Sequence, residues 1–261
     1  MKNKKSVVLG GILLSVVSAG AMATCNDIYS AWNNNAITSS VGVTGNGGYG
    51  LPMWIAAVDE TGKVCAVVNS GGSGADIGNK SWLGSRVISI QKATAANSFS
   101  LDAFSISTAN LYGLTMPGGS LYGLQMSNPV DANVAYAGSP ENYGQGGNDP
   151  AVGKRIGGIN VFGGGLALYN NQGKKVGAIG VSGDTSCTDH AVAWRLRTAM
   201  GLNNVPGGFI SGYAQKPAGS LGDEMIISTN GNVTNAYKQP SCAHNAISNP
   251  TAGSATGVII E

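Results

Sequence analysis

Two widely separated stretches of this sequence share one pattern: a short apolar run, a polar tetrapeptide ending in glycine, and a second apolar run. Met53–Val58, Asp59-Glu60-Thr61-Gly62 and Val64–Val68 form the first. Leu166–Tyr169, Asn170-Asn171-Gln172-Gly173 and Lys175–Val181 form the second and clearer one. Each reads as strand, tight turn and return strand. The chain therefore has to build an antiparallel sheet from its two ends.

The residues between the hairpins read as helical. Gly71–Gly84 is a glycine-rich loop, after which Ser85 is placed to cap a helix from about Arg86 to Phe99, with Lys92 in its middle. A shorter helix is expected over Ser107–Leu114, before Pro117-Gly118-Gly119, and prolines interrupt the loop-rich Val130–Gly153. A last core helix is expected over Asp189–Met200, capped by Thr188 and stopped by Gly201. Val192, Leu196 and Ala199 share one face of it. Residues 203–261 lack sustained periodicity and are expected to wrap the domain. Residues 24–50 are polar and end in a Gly45–Gly50 run that matches GxGxxG only formally, having no strand before it and no helix after it, and reads as a flexible entry loop. Hairpins flanking helices indicate an α+β domain, one antiparallel sheet with helices packed on it.

The N-terminus reads as a secretory signal peptide. Lys2, Lys4 and Lys5 precede an apolar run, Val7–Val17, and then Ala21-Met22-Ala23, so cleavage is expected after residue 23. Cys25 does not make a lipobox, because Thr24 stands where a Gly or Ala is wanted. No other stretch is long and apolar enough to span a bilayer, so no membrane span is expected after cleavage. Losing the three lysines turns the formal charge of +2 into −1. With 11% charged residues and no basic run, a nucleic-acid partner is not expected.

Cys25, Cys65, Cys187 and Cys242 remain after cleavage, an even number that in an exported chain reads as disulfides. No pair has CxxC spacing, and CxxCH is absent, which argues against zinc ribbons, thioredoxin chemistry and covalent haem.

Four segments carry a resemblance: "WIAAVDETGKVCAVV", "GSRVISIQKATAANSF", "GGINVFGGGLALYNNQGKKVGAIGVSGD" and "TSCTDHAVAWRLRTAMGL". In that order they resemble the GlcG/HbpS-like haem-binding family over residues 52–201. That gives a signal peptide over 1–23, an N-terminal extension over 24–51, the family domain over 52–201 and a C-terminal extension over 202–261. The resemblance implies a profilin-like α+β fold, a homo-oligomer, and non-covalent haem or iron binding. The longer tail resembles an exported subgroup, periplasmic or secreted. Cys187 is expected to bridge to Cys242, pinning the tail to the last helix, and Cys25 then pairs with Cys65.

Candidate site residues follow from chemistry. Only His190 and His244 exist. His190 is placed in the first turn of the last helix, where the macrodipole favours a neutral imidazole, the form that ligates iron. It is the candidate haem axial ligand and metal ligand; the alternative is that it and Asp189 cap the helix. Gly163-Gly164-Gly165 offers close backbone approach to a flat ligand or simply a sharp strand-entry turn. Phe162 supplies apolar cover, and Arg86 or Lys92 a cation for an acidic ligand group. About 240° of projection separates those two cations, so they do not share a helix face. Asp184 closes a "GVSGD" segment that imitates a nucleophile elbow without its final glycine. Ser182, His190 and Asp184 or Asp189 are the residues an esterase-like triad would use. Three functions are consistent with these residues: haem binding, a periplasmic small-molecule sensor or accessory subunit, and an enzyme of unassigned reaction.

Overall fold

The computed structural model describes residues 24–32, 34–209, 219–228, 237–242 and 256–260. The expected signal peptide and His244 lie outside the described residues. The elements run α1 (Cys25–Ala31), α2 (Asn34–Val41), β1 (Trp54–Asp59), β2 (Val64–Asn69), α3 (Gly84–Phe99) and α4 (Thr108–Thr115). One-turn helices α5 (Leu124–Ser127) and α6 (Ala132–Ala135) and a two-residue strand β3 (Gln145–Gly146) follow. Then come β4 (Gly165–Tyr169), β5 (Lys175–Ser182), α7 (Ser186–Ala199), β6 (Met225–Ser228), β7 (Lys238–Pro240) and β8 (Val258–Ile260).

Both hairpins form, and they join. β1 pairs antiparallel with β2 on one side and with β5 on the other, from Trp54 opposite Ser182 to Asp59 opposite Gly177. The sheet order is β3-β2-β1-β5-β4, antiparallel throughout. β1 is buried along its whole length because both of its faces are covered. Ile55 and Ala57 face a core shared with Ile28 of α1, Ile37 of α2 and Val192 and Leu196 of α7. Trp54, Ala56 and Val58 face Val87, Ile90 and Ala93 of α3. Burial on both sides explains the unbroken apolar runs, where a half-exposed strand would alternate. α3 lies so close to β5 that a Cβ on Gly180 would run into the Ser89 carbonyl, which accounts for the glycine in "GAIGVSG".

Two expectations about local structure need correction, and two further segments fold in ways the sequence did not announce. α3 starts at Gly84 with Leu83 at its cap position, so Ser85 is a buried helix residue and not the cap. α7 starts at Ser186, with the Thr185 hydroxyl accepting from the Thr188 N–H at 3.2 Å, three residues ahead of the predicted start. Ahead of the Gly45–Gly50 loop the chain is helical, because Thr24 and Asp27 form a reciprocal capping box that starts α1, and α2 follows. The tail holds strands, β7-β6-β8, paired in parallel. Parallel strands need no local turn, so no turn signal announces them.

Disulfides join Cys25 to Cys65 and Cys187 to Cys242, and no described cysteine is free. Among the described residues no helix is long and apolar enough to cross a membrane.

Candidate functional site

β5 ends at Ser182, the chain turns at Gly183-Asp184, and α7 begins two residues later. This turn puts α7 against β4 and β5, and its side chains address three surroundings according to the 100° helical step.

Asp189 points into the sheet. Its Oδ2 lies 2.6 Å from the Lys92 Nζ, which also donates to the Val181 carbonyl at 2.9 Å. Its Oδ1 accepts the Asp184 N–H at 3.1 Å. Lys92 sits 4.7 Å from the centre of the Phe162 ring. Both charged groups are fully enclosed. Burial pulls the Lys92 ammonium below its ordinary range against the pull of Asp189, and burial pushes Asp189 up to about 6 although Lys92 opposes it. This is a dry, mutually dependent pair, costly to break from either side.

The glycine run lies beside it. Cβ atoms on Gly163, Gly164 and Gly165 would meet, respectively, Met225 with the Ser186 carbonyl, Val181 with Asp189 and Lys92, and Thr108 with the Lys92 carbonyl. The close backbone approach expected of these glycines is therefore to the protein's own atoms. Thr108 fastens the run by donating to the Phe162 carbonyl at 2.7 Å and accepting from Gly165 at 2.9 Å.

His190 points the other way, toward the tail. It has no exposed surface, and neither ring nitrogen makes a hydrogen bond of normal geometry. Burial drives its pKa down to about 3, with Arg197 and Lys92 adding and Asp223 and the nearby Gly257 backbone opposing. The imidazole is neutral, as expected, but the cause differs. The earlier start of α7 puts His190 in the second turn, and desolvation rather than the macrodipole keeps the proton off. The ring stacks on Trp194 at 6.0 Å. No hydrogen bond joins Ser182 to His190, so the two form no nucleophile–base pair.

Thr188 and Val192 face a third direction, a cleft of about 570 Å³ shared with Val43, Asn46, Tyr49 and Leu51 of the N-terminal extension. Asp184 forms part of its wall. It accepts N–H groups of Tyr49 at 2.9 Å, Leu51 at 3.1 Å and Thr185 at 2.6 Å.

The structure thus brings Lys92, Phe162, Gly163, Gly164, Gly165 and His190 to one corner, with Asp184 at its back. Arg86 is elsewhere. Its guanidinium grips both oxygens of Asp149, donates to the Ala135 carbonyl at 2.7 Å and lies 3.9 Å over Tyr143. It fastens the 130–153 segment to α3 and is not available to a ligand. One residue of the corner escaped sequence reasoning altogether. Asp223, in the tail, forms a fully buried two-pronged pair with Arg197 at 2.6 and 2.9 Å and accepts from Ser105 at 2.7 Å. Nothing local in Gly222-Asp223-Glu224 marks it; only the third dimension supplies the partner.

An antiparallel sheet sandwiched between α3 and α7, with a buried Lys–Asp pair and a sealed neutral histidine at its edge, defines an α+β domain. The family described as "Haem degrading protein HbpS-like" matches residues 46–196, more than half of the chain, and the chain belongs to that family. No curated relative matches the chain. Among solved structures it is similar to the Klebsiella pneumoniae protein ORFY, a DUF336 protein, at 19% identity and a TM-score of 0.43, covering 77% of this chain and 97% of that one. It is similar to a PduOC–heme complex at 19% identity and a TM-score of 0.43, covering 67% of this chain and 91% of that one.

Proposed function

We propose that this protein binds haem non-covalently at the corner of Phe162, the Gly163–Gly165 run and His190. Family membership supports the ligand class. The observation that carries the location is His190, a buried neutral imidazole whose ring nitrogens make no hydrogen bond of normal geometry among the described residues and whose polar neighbour is the Gly257 backbone, which leaves a donor for iron. Haem, once bound, supplies the iron and its redox chemistry. The chain supplies the donor, the Phe162 face and, over Gly163, the space that Met225 now fills. The leader-like first 23 residues and the two disulfides support an exported location. The family resemblance supports a homo-oligomer, which solution mass measurement tests.

Titration of the purified protein with hemin, run with and without a dithiol reductant, should give a saturable Soret change at one haem per chain. A protein that stays colourless while binding another small molecule would instead favour the sensor reading. The open cleft beside Asp184, on a different face of α7, supports that second reading.

A further inference from the structure

The tail closes the corner, and one bond latches it. Met225 at the start of β6 fills the space over Gly163, and Gly257 before β8 packs on Trp194, the ring that stacks on His190. Met225, Ile227 and Val258 form one apolar cluster with Ala109 and Cys187, and Cys242 packs against it. The cover is held at two points. The Asp223–Arg197 pair, buried on all sides, fastens its start. The Cys187–Cys242 disulfide fastens its far side, just after β7.

We propose that the strands β6–β8 are a redox-latched cover over His190, released by reduction of Cys187–Cys242 and hinged at Asp223–Arg197. The inference rests on the haem reading only for the identity of the ligand. Its chemistry is ordinary thiol–disulfide exchange with a dithiol reductant. One reductant thiolate attacks the half-buried Cys242 sulfur, forms a mixed disulfide and expels Cys187 as a thiolate, which then takes a proton from water. The second reductant thiol gives up its proton, closes its own disulfide and frees Cys242 as a thiolate that is protonated in turn. Two electrons pass from the dithiol to the latch.

The geometry favours this bond over the other one. Cys187 is the second residue of the 14-residue α7, and its own N–H lies 3.2 Å from the Cys242 sulfur. A thiolate leaving there is stabilised by the amides and dipole of the helix start. The Cys25–Cys65 bond has the opposite setting. The buried Asp59 carboxylate lies 3.9 Å from the Cys25 sulfur, Cys65 has no exposed surface, and like charge disfavours a thiolate beside it. Graded dithiol should therefore open Cys187–Cys242 first.

The test reads His190 directly, without haem. Carbethoxylation by diethyl pyrocarbonate, mapped by mass spectrometry to separate His190 from His244, should be slow in the oxidised protein. It should become at least about tenfold faster in Cys242→Ser and in protein whose latch alone is reduced, as expected when a competent open state gains population. Met225→Ala, which keeps both disulfides, is the second variant and should also speed labelling. Cys25→Ser with Cys65→Ser should not. Unchanged His190 labelling in Cys242→Ser and Met225→Ala overturns the cover, as does equal acceleration in the Cys25/Cys65 double variant. Faster labelling without any hemin Soret change keeps the cover and removes the haem reading.

Discussion

The two extensions of the family core both pack on α7, and each is tied down by one disulfide, yet they finish its surface in different ways. The N-terminal extension shares an apolar core with Val192 through Ile37, but beside Thr188 it presents backbone, with Asp184 collecting N–H groups from Tyr49, Leu51 and Thr185, and a cleft of about 570 Å³ remains. The C-terminal extension meets His190 and Trp194 through side chains, an ion pair and apolar strands, and leaves His190 with no exposed surface. Backbone hydrogen bonds have fixed lengths and directions, so a loop held by them keeps the gaps its geometry dictates. Apolar side chains adjust their rotamers to fill space. One flank is consequently a receptacle and the other a seal.

The seal depends most on Asp223. Asp223→Ala leaves Arg197 charged and unpaired inside the protein and should cost about 3–5 kcal/mol in chemical denaturation. A loss below about 1 kcal/mol would mean that the tail is not anchored there. The two staples come next. Loop-closure entropy assigns about 4 kcal/mol to each, since the closed loops are of similar length, with sequence separations of 40 and 55. Removing either should therefore lower stability alike, while only loss of Cys187–Cys242 should expose His190. Dissimilar stabilities would show that strain or residual contacts, rather than loop entropy, separate the two flanks.

The sealed histidine also gives a pH signature. Its pKa falls from 6.5 in the unfolded chain to about 3 in the folded one. Between those values the unfolded state binds the extra proton, so this group's contribution to stability is lost as pH drops below 6.5. His190→Phe should thus gain on the wild type as pH falls, by about 2 kcal/mol at pH 5, in paired melts. Asp189 acts with the opposite sign. Its pKa rises from 3.8 to about 6, so the folded state holds the extra proton in that window and stability falls as pH rises through it. In the wild type the two slopes offset one another between about pH 4 and 6, and His190→Phe should uncover the Asp189 slope. A constant gap between variant and wild type across pH would mean that His190 is hydrated. The smallest effect belongs to the open flank. Gly48 has φ +78°, and a Cβ there would press on Asp184 and Thr188. Gly48→Ala should cost about 1–2 kcal/mol and leave His190 labelling unchanged.

Much of the sheet was legible from the chain because hairpin strands carry their partners next door. Val64–Asn69 and Lys175–Ser182 lie within a few residues of predicted bounds for that reason. The order β2-β1-β5-β4 and the parallel tail strands were not legible, since nothing adjacent in sequence encodes those pairings. Lys92 stood out as a cation in the middle of the predicted helix, but its partner Asp189 was read as a helix cap. A helix that starts three residues earlier turns Asp189 inward and His190 into a second-turn, buried residue. Arg86 looked like a free cation because Asp149 sits inside a loop without periodicity. Conversely, the cysteine pairings agree with expectation, helped by there being only three ways to join four cysteines.

One comparison of hemin spectra tests the proposed haem site and distinguishes the two flanks of α7. Wild type, His190→Ala and Asp184→Asn are titrated side by side after the latch has been opened. The account predicts a saturable Soret band at one haem per chain in the wild type, a shifted or weakened band in His190→Ala, and an unchanged band in Asp184→Asn. A band that ignores His190→Ala but collapses in Asp184→Asn would place haem in the open cleft and contradict the assignment. A wild type without any saturable band would contradict haem binding itself.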